Sequence, residues 1–160
     1  MIRPGDIPDR LAALRRALGG RAAGAWRVEA DRLALVAFDP APDLPADVAL
    51  GFEVATRSVS RSLVALGIAR AAASGEPAVS LAATLPSDAG SGYWLRAFGA
   101  SRSVAVPIPG EAGRAGWIVS VALGPEPGDD AVIATIRRFS GEAGGTGLDG
   151  PGPRLDNSDG

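Results

Sequence analysis

The sequence of 160 residues predicts a single α+β domain, in which antiparallel hairpins form a sheet and helices lie beside it. Segments with alternating apolar and polar residues flank short polar turns, as in β-hairpins. Other segments carry apolar residues at helical spacing. The elements follow the order helix, two or three strands, helix, three strands and helix. This order indicates an α+β layered domain and not a βαβ nucleotide-binding fold.

The first predicted helix runs from Pro8 to Leu18. Asp6 is the expected N-cap, and Gly19-Gly20 ends the helix. Apolar residues recur along one face. Such a face packs either on its own domain or on the same helix of a second copy. In the second case a dimer interface would contain Ile7, Leu11, Leu14 and Leu18.

A hairpin is predicted next, with one strand around Trp26 and another from Leu33 to Phe38. The nearly continuous apolar run of the second strand predicts a central strand that is covered on both faces. Residues 39–47 contain three prolines and three aspartates and are expected to form a loop. A short apolar patch (Val48, Leu50, Phe52) and a possible third strand, "EVATRSVS", follow.

A second helix is predicted from Ser60 or Ser62 to a stop at Gly75 and Pro77. Its second half is rich in alanine, so we expect it to lie close to the backbone of the sheet. A short strand is predicted at 78–82, a loop at 83–92, and one or two helical turns at 93–98.

The clearest hairpin pairs "SRSVAVPI" with "GWIVSVAL". Pro107 should mark a strand end or a bulge, because it lacks the N–H of a ladder hydrogen bond. A final helix is predicted at 130–139, with Asp129 and Asp130 at its positive end. The predicted organisation is a short arm at 1–5, one domain at 6–140, and a disordered, acidic Gly/Pro-rich tail at 141–160.

The composition excludes several kinds of chemistry. The chain contains no His, Cys or Lys. It therefore lacks an imidazole base, a thiol nucleophile and the usual ligands of zinc, haem and iron–sulfur clusters. We expect no catalytic residues, no metal site and no cofactor. The net charge of -2 and the absence of long apolar segments predict a cytoplasmic protein that binds neither nucleic acid nor membranes.

The most distinctive cluster lies beside the flexible loop. Tyr93, Trp94 and Phe98 offer flat apolar walls to a ligand, and Arg96 offers a forked donor to a carboxylate or phosphate. The alternative is a short helix that plugs one end of the core.

The sequence resembles the GAF domain, a small-molecule sensor module of bacterial signalling proteins, from about Leu11 to Phe139. The similarity is best in "SVSRSLVALGIARAAASGEPAVS", "SRSVAVPIPGEAGRAGWIVSVAL" and "PGDDAVIATIRRFSG". It implies a GAF-like (PAS/profilin-like) antiparallel sheet of five to six strands with flanking helices, in which the N- and C-terminal helices pack together. It also implies a ligand pocket on the opposite face, roofed by a variable segment. By position, the residues in or near that roof are Ser80, Tyr93, Trp94, Arg96 and Phe98.

Four chemistries known in this family do not fit the sequence. The Asn-Lys signature of cyclic-nucleotide GAF domains requires Lys, bilin attachment requires Cys, haem ligation normally requires His, and the methionine-sulfoxide reductases require catalytic Cys. The resemblance therefore implies a non-enzymatic sensory or regulatory domain. We expect an unidentified small-molecule ligand, with a homodimer or a signalling protein as further partners. The alternative is a ligandless module for dimerisation or protein docking.

Overall fold

The computed structural model describes residues 4–88, 90–110 and 114–144. The helices are α1 (Ile7–Leu18), α2 (Ala46–Thr56), α3 (Gly67–Ser74), α4 (Gly90–Phe98) and α5 (Asp129–Gly144). The strands are β1 (Ala22–Val28), β2 (Arg32–Pro40), β3 (Ser58–Ser60), β4 (Ala78–Leu81), β5 (Arg102–Pro109) and β6 (Ala115–Leu123). Short 3-10 helices occupy Pro4–Asp6 and Ala82–Thr84. These elements confirm the predicted α+β class.

All six strands form one antiparallel sheet in the order β3-β2-β1-β6-β5-β4. Both predicted hairpins are present, as β1–β2 and β5–β6. The central position predicted for the second strand is wrong, because β2 is next to the edge and Leu33 is its only buried residue. The ladder of β5 shifts register between Ile108 and Pro109, one residue after Pro107.

The sheet separates two apolar layers. On one face, α1 and α5 pack together over Val104, Val106 and Val121 of the central strands. On the other face, α3 packs its buried alanines against β5 and β6, and α2 and α4 complete the layer. The close approach expected for the alanine-rich helix is confirmed. The terminal helices share a core, as the resemblance implied.

The segment before α3 differs from its prediction. Residues 46–56 form helix α2, where an apolar patch and the start of a third strand were expected, and β3 is reduced to Ser58–Ser60. The helix predicted from Ser60 begins only at Gly67, and Leu63 and Val64 are about half exposed. Pairing of β3 with β2 fixes residues 58–60 in an extended conformation, and the Ser60 hydroxyl accepts a bond from the Ser62 N–H.

Helix α1 carries the four residues that were assigned to a dimer interface. All four are buried against the chain's own sheet and α5, with 2–7 % of their surface exposed. Such side chains have little surface left for a second chain, and the dimer interface assigned to them stays a prediction. Asp6 makes no side-chain capping bond, whereas Gly19 ends the helix in the left-handed conformation.

Helix α5 continues to Gly144, four residues into the segment predicted as a tail. Residues 145–160 and 1–3 lie outside the described part of the chain. Among the described residues, no helix is both long and apolar enough to cross a bilayer.

Candidate functional site

A small cavity lies between the sheet and helices α2, α3 and α4, on the face opposite α1 and α5. Its volume is about 50 Å³. Its described lining residues are Ala22, Ala23, Gly24, Trp26, Phe38, Phe52, Thr56, Leu66, Gly67, Ile68, Ser91, Trp94, Leu95, Phe98, Ser103, Ser120 and Ala122. An apolar, concave site with a few polar groups is typical of small-molecule binding.

The floor of the cavity consists of small residues on three neighbouring strands. Strand pairing forms two rows across β1, β6 and β5: Gly24, Ser120 and Ala105 in one, and Ala22, Ala122 and Ser103 in the other. No side chain in either row is larger than serine. Alternation along each strand sends the larger valines to the opposite face, so the floor lies deep below the helices.

Trp26 forms one wall and requires glycine at position 24. A Cβ atom on Gly24 would lie 2.5 Å from the Trp26 indole, so the ring lies across the glycine. The indole N–H of Trp26 donates a hydrogen bond of 3.0 Å to the Thr56 carbonyl at the end of α2. The Thr56 hydroxyl in turn donates to the Phe52 carbonyl at 2.8 Å. The first bond holds the end of α2 against the sheet, and the second lies within α2.

Phe52 is the centre of an aromatic cluster that forms the roof. Its ring centroid lies 5.0 Å from Phe38, 5.1 Å from Phe98 and 5.2 Å from Trp94. The contacts with Phe98 and Trp94 are edge-to-face, which is a favoured arrangement of aromatic pairs. The cluster joins α2, α4 and β2 over the cavity.

Two arginines hold α4 in place. Arg96 donates to the carbonyl oxygens of Ala82, Leu85 and Gly92. Arg21 donates to the Phe98 carbonyl at 2.8 Å and to the Asp43 carboxylate at 2.7 Å. The hydrogen bond from Arg21 is the main cause that holds the pKa of Asp43 below its ordinary value. Arg96 connects α4 to the segment just before it, whereas Arg21 connects segments that are distant in the sequence.

The lining contains no ionisable side chain among the described residues. The described residues also contain no group of three or more His, Cys, Asp or Glu side chains that could hold a metal ion. The side-chain polar groups of the lining residues are the hydroxyls of Ser91, Ser103, Ser120 and Thr56 and the indole N–H groups of Trp26 and Trp94. The arrangement can therefore hold an apolar group and make a few neutral hydrogen bonds.

The fold was compared with known proteins. The sequence matches no protein-family model, and no curated protein matches it. Among solved structures, it is similar to the GAF domain region of a protein from Geobacter sulfurreducens PCA (TM-score 0.66, 13 % identity, 88 % of this chain and 89 % of that chain). It is also similar to a GAF domain/HD domain protein from Geobacter sulfurreducens (TM-score 0.63, 16 % identity, 88 % of each chain). The chain therefore has the GAF fold.

The GAF fold also occurs in a third similar structure. This is the type II free methionine-R-sulfoxide reductase from Thermoplasma acidophilum, with a TM-score of 0.61, 11 % identity, and coverage of 88 % of this chain and 87 % of that chain. At identities this low, the structural similarity is evidence for a shared fold alone. The predicted GAF-like architecture is thereby confirmed.

Within the GAF fold, the five predicted ligand-binding residues divide into two groups. Trp94 and Phe98 line the cavity. Tyr93 is 47 % exposed and contacts the edge of Trp94 from outside, and Arg96 holds the preceding loop. Ser80 is buried below α3, where its hydroxyl accepts a bond of 2.6 Å from Arg70. None of these three is among the lining residues.

Several lining residues were missed by the sequence analysis. Phe52 was assigned to an apolar patch before a strand, and Trp26 was placed only in a strand of the first hairpin. Ser103 and Ser120 were not considered, although a signal was present. In the second hairpin, several residues that alternate with the valines are small, namely Ser103, Ala105, Ser120 and Ala122. This pattern predicts a sheet face with space above it.

Proposed function

We propose that this domain is a non-enzymatic sensory or regulatory module that binds a small molecule in the cavity described above. The observation that carries the proposal is a concave apolar site with a floor of small residues on the sheet face away from the terminal helices. The GAF domains among the similar structures support the same kind of module. We also propose that it acts in the cytoplasm.

The proposal that the domain is not an enzyme rests on its residues. The chain contains no Cys, whereas the GAF resemblance implies a catalytic Cys for the reductases. The described lining contains no acid, base or arginine that could transfer a proton or polarise a bond. Serine hydroxyls are present, but none has a basic partner among the lining residues, as a nucleophilic serine would require.

Only the sheet separates the cavity from the terminal helices, so a structural change on ligand binding would be transmitted across one layer. In β6, Ser120 and Ala122 face the cavity, while Val119 and Val121 face α1 and α5. Arg21, three residues after the end of α1, is bonded to the end of α4. A ligand that favours one position of α4 would thus favour one packing of α1. This packing, or a dimer that depends on it, would carry the signal.

A docking module without a ligand is the second candidate. The aromatic roof already fills most of the space above the floor, and the remaining cavity of about 50 Å³ is small. In addition, Leu50 and Val54 lie one turn apart on α2 and are 60 % and 56 % exposed. Contact surfaces for proteins contain adjoining exposed apolar residues, and this pair could form part of one.

A thermal-shift screen of metabolites tests the proposal. A ligand at 100 times its dissociation constant adds about 2.7 kcal/mol to the free energy of unfolding. We expect a hit whose affinity falls at least about tenfold in Trp94→Ala, because an aromatic wall of the site is lost. Tyr93→Ala is the matched control, since it removes a neighbouring ring outside the cavity.

The two candidates give different results in this screen. No shift with any class of metabolite would favour the docking module. A Trp94→Ala variant that unfolds more easily but binds a hit as tightly as the wild type would show that Trp94 only plugs the core.

A further inference from the structure

The cavity has the properties of a site for an uncharged ligand. Each of its described lining residues is apolar or carries only a neutral hydroxyl or indole N–H group. An ionised group that is moved from water into such a site loses its hydration and gains no partner of opposite charge. Anions, ammonium groups and zwitterions are therefore poorly matched to this site.

The arginines nearest the cavity do not change this conclusion. Arg21 and Arg96 donate to backbone carbonyls at the two ends of α4, and Arg70 donates to Ser80, Val64 and Val79. None of the three lines the cavity. To meet a buried anion, each would have to leave carbonyl groups that it now satisfies, at a cost of several hydrogen bonds.

Polar recognition is concentrated on two serines of the floor. Ser103 lies opposite Ala122, and Ser120 lies opposite Ala105, so the two serines are diagonal neighbours on adjacent strands. Diagonal neighbours are roughly 7–8 Å apart, within reach of one small molecule. Within the described residues, neither serine hydroxyl takes part in a hydrogen bond, so both are available to a ligand.

The volume of the cavity limits the size of the ligand. An apolar cavity of about 150 Å³ admits benzene, so the volume of about 50 Å³ found here is too small for one ring at rest. Trp94 is a wall that can move, because it is only partly buried, whereas Trp26 is 1 % exposed. A small outward movement of α4 would admit a ring and leave Trp94 stacked on it.

From these observations we infer that the ligand is an uncharged molecule of about one ring, with a hydroxyl or carbonyl group that bonds to Ser103 and Ser120. This inference rests on the proposed function and adds the chemical class of the ligand. It excludes nucleotides and free amino acids as ligands of this cavity.

Four probes of matched shape test the class: benzyl alcohol, toluene, benzoate and benzylammonium. Each is titrated into the full chain, and amide shifts of Gly24 and Ala122 in NMR spectra report binding at the floor. We expect benzyl alcohol to bind and both ions to bind at least about 100-fold more weakly, because their charge would be buried without a partner.

Serine variants test the polar contact. The double variant Ser103→Ala/Ser120→Ala should lower the affinity for benzyl alcohol about tenfold and leave the affinity for toluene unchanged, because only the alcohol loses hydrogen bonds. Ser101→Ala is the control, since Ser101 precedes the same strand, donates to the Leu123 carbonyl and is not among the lining residues. This variant should bind benzyl alcohol like the wild type.

The outcomes separate the inference from the proposed function. Equal affinity for benzoate or benzylammonium, or an unchanged affinity of the double variant for benzyl alcohol, overturns the inference and leaves the sensor proposal standing. The same holds if none of the probes binds but a charged metabolite from the screen shifts the Gly24 and Ala122 amides. If no probe and no metabolite shifts them, both proposals are lost.

Discussion

Gly92 allows α4 to pack closely against the backbone of the preceding loop. A Cβ atom at Gly92 would lie 2.0 Å from the Pro86 carbonyl oxygen, which is far inside contact distance. Gly51 in α2 presents the opposite situation. A Cβ atom there would lie 3.5 Å from the Trp94 ring, which is an ordinary contact.

Gly92→Ala and Gly51→Ala should therefore have effects of opposite sign. Gly92→Ala should lower the free energy of unfolding by about 2–3 kcal/mol, because the loop or the helix must move. Gly51→Ala should raise it by about 0.5–1 kcal/mol, because alanine is the better helix former. Urea unfolding of both variants provides the measurement. Equal stabilities would contradict the described approach of Gly92 to Pro86.

Helical periodicity explains why the predicted aromatic cluster divides. Trp94 and Phe98 are four residues apart and lie on the face of α4 that covers the cavity. Tyr93 and Arg96 lie on other faces. The sequence analysis identified the correct segment, and a strict helical projection would have separated the two lining residues from their neighbours.

At the scale of elements, the signals that succeeded were periodic and local. The hairpins follow the alternation of apolar residues, and α1 and α5 follow an apolar stripe. The prediction for residues 46–66 was wrong because their apolar residues fit both the period of a strand and that of a helix. Val48, Leu50 and Phe52 alternate as in a strand, yet Val48 and Phe52 are also one helical turn apart and both pack in the aromatic layer.

The buried stripe of α1 makes a testable contrast with the exposed residues of α2. Leu14 is 2 % exposed and Leu50 is 60 % exposed. Leu14→Asp should cost more than about 4 kcal/mol and unfold the domain, because it places a charge in the core. Leu50→Asp should change stability by less than about 1 kcal/mol.

Circular dichroism and light scattering distinguish the possible results. If the wild type is a dimer and Leu14→Asp is a folded monomer, the prediction that α1 forms the dimer interface is supported. If Leu50→Asp alone converts a wild-type dimer to a folded monomer, α2 forms the interface and the docking candidate gains support.

At the scale of the whole molecule, Arg21 connects parts that are far apart in the chain. Its guanidinium bonds to Phe98, 77 residues away, and to Asp43, 22 residues away. The lowered pKa of Asp43 means that its pairing stabilises the fold above the ordinary pKa of an aspartate. This contribution is lost as the pH falls through the lowered pKa.

Arg21→Gln should raise the pKa of Asp43 towards its ordinary value, because the main hydrogen bond to the carboxylate is lost. It should also speed hydrogen exchange in α4, whose last carbonyl loses a charged donor. Carboxyl NMR titration and amide exchange measure the two effects. Arg32→Gln is the control, since Arg32 pairs with Glu29 and does not contact Asp43 or α4. An unchanged Asp43 pKa would contradict the described pairing.

The sequence by itself determined the class of the fold, the two hairpins, both terminal helices and the exclusion of thiol and imidazole chemistry. These features depend on residue types and on spacings within about ten residues, which are readable before folding. Only the tertiary structure decided where the cavity lies and what lines it. Its floor joins small residues of β1, β5 and β6 (Ala22, Gly24, Ser103, Ser120 and Ala122), and its roof joins Phe38, Phe52, Trp94 and Phe98. Strand pairing and helix packing bring these segments together. A local pattern does not predict which small residues, distant in the sequence, will share one face of the sheet.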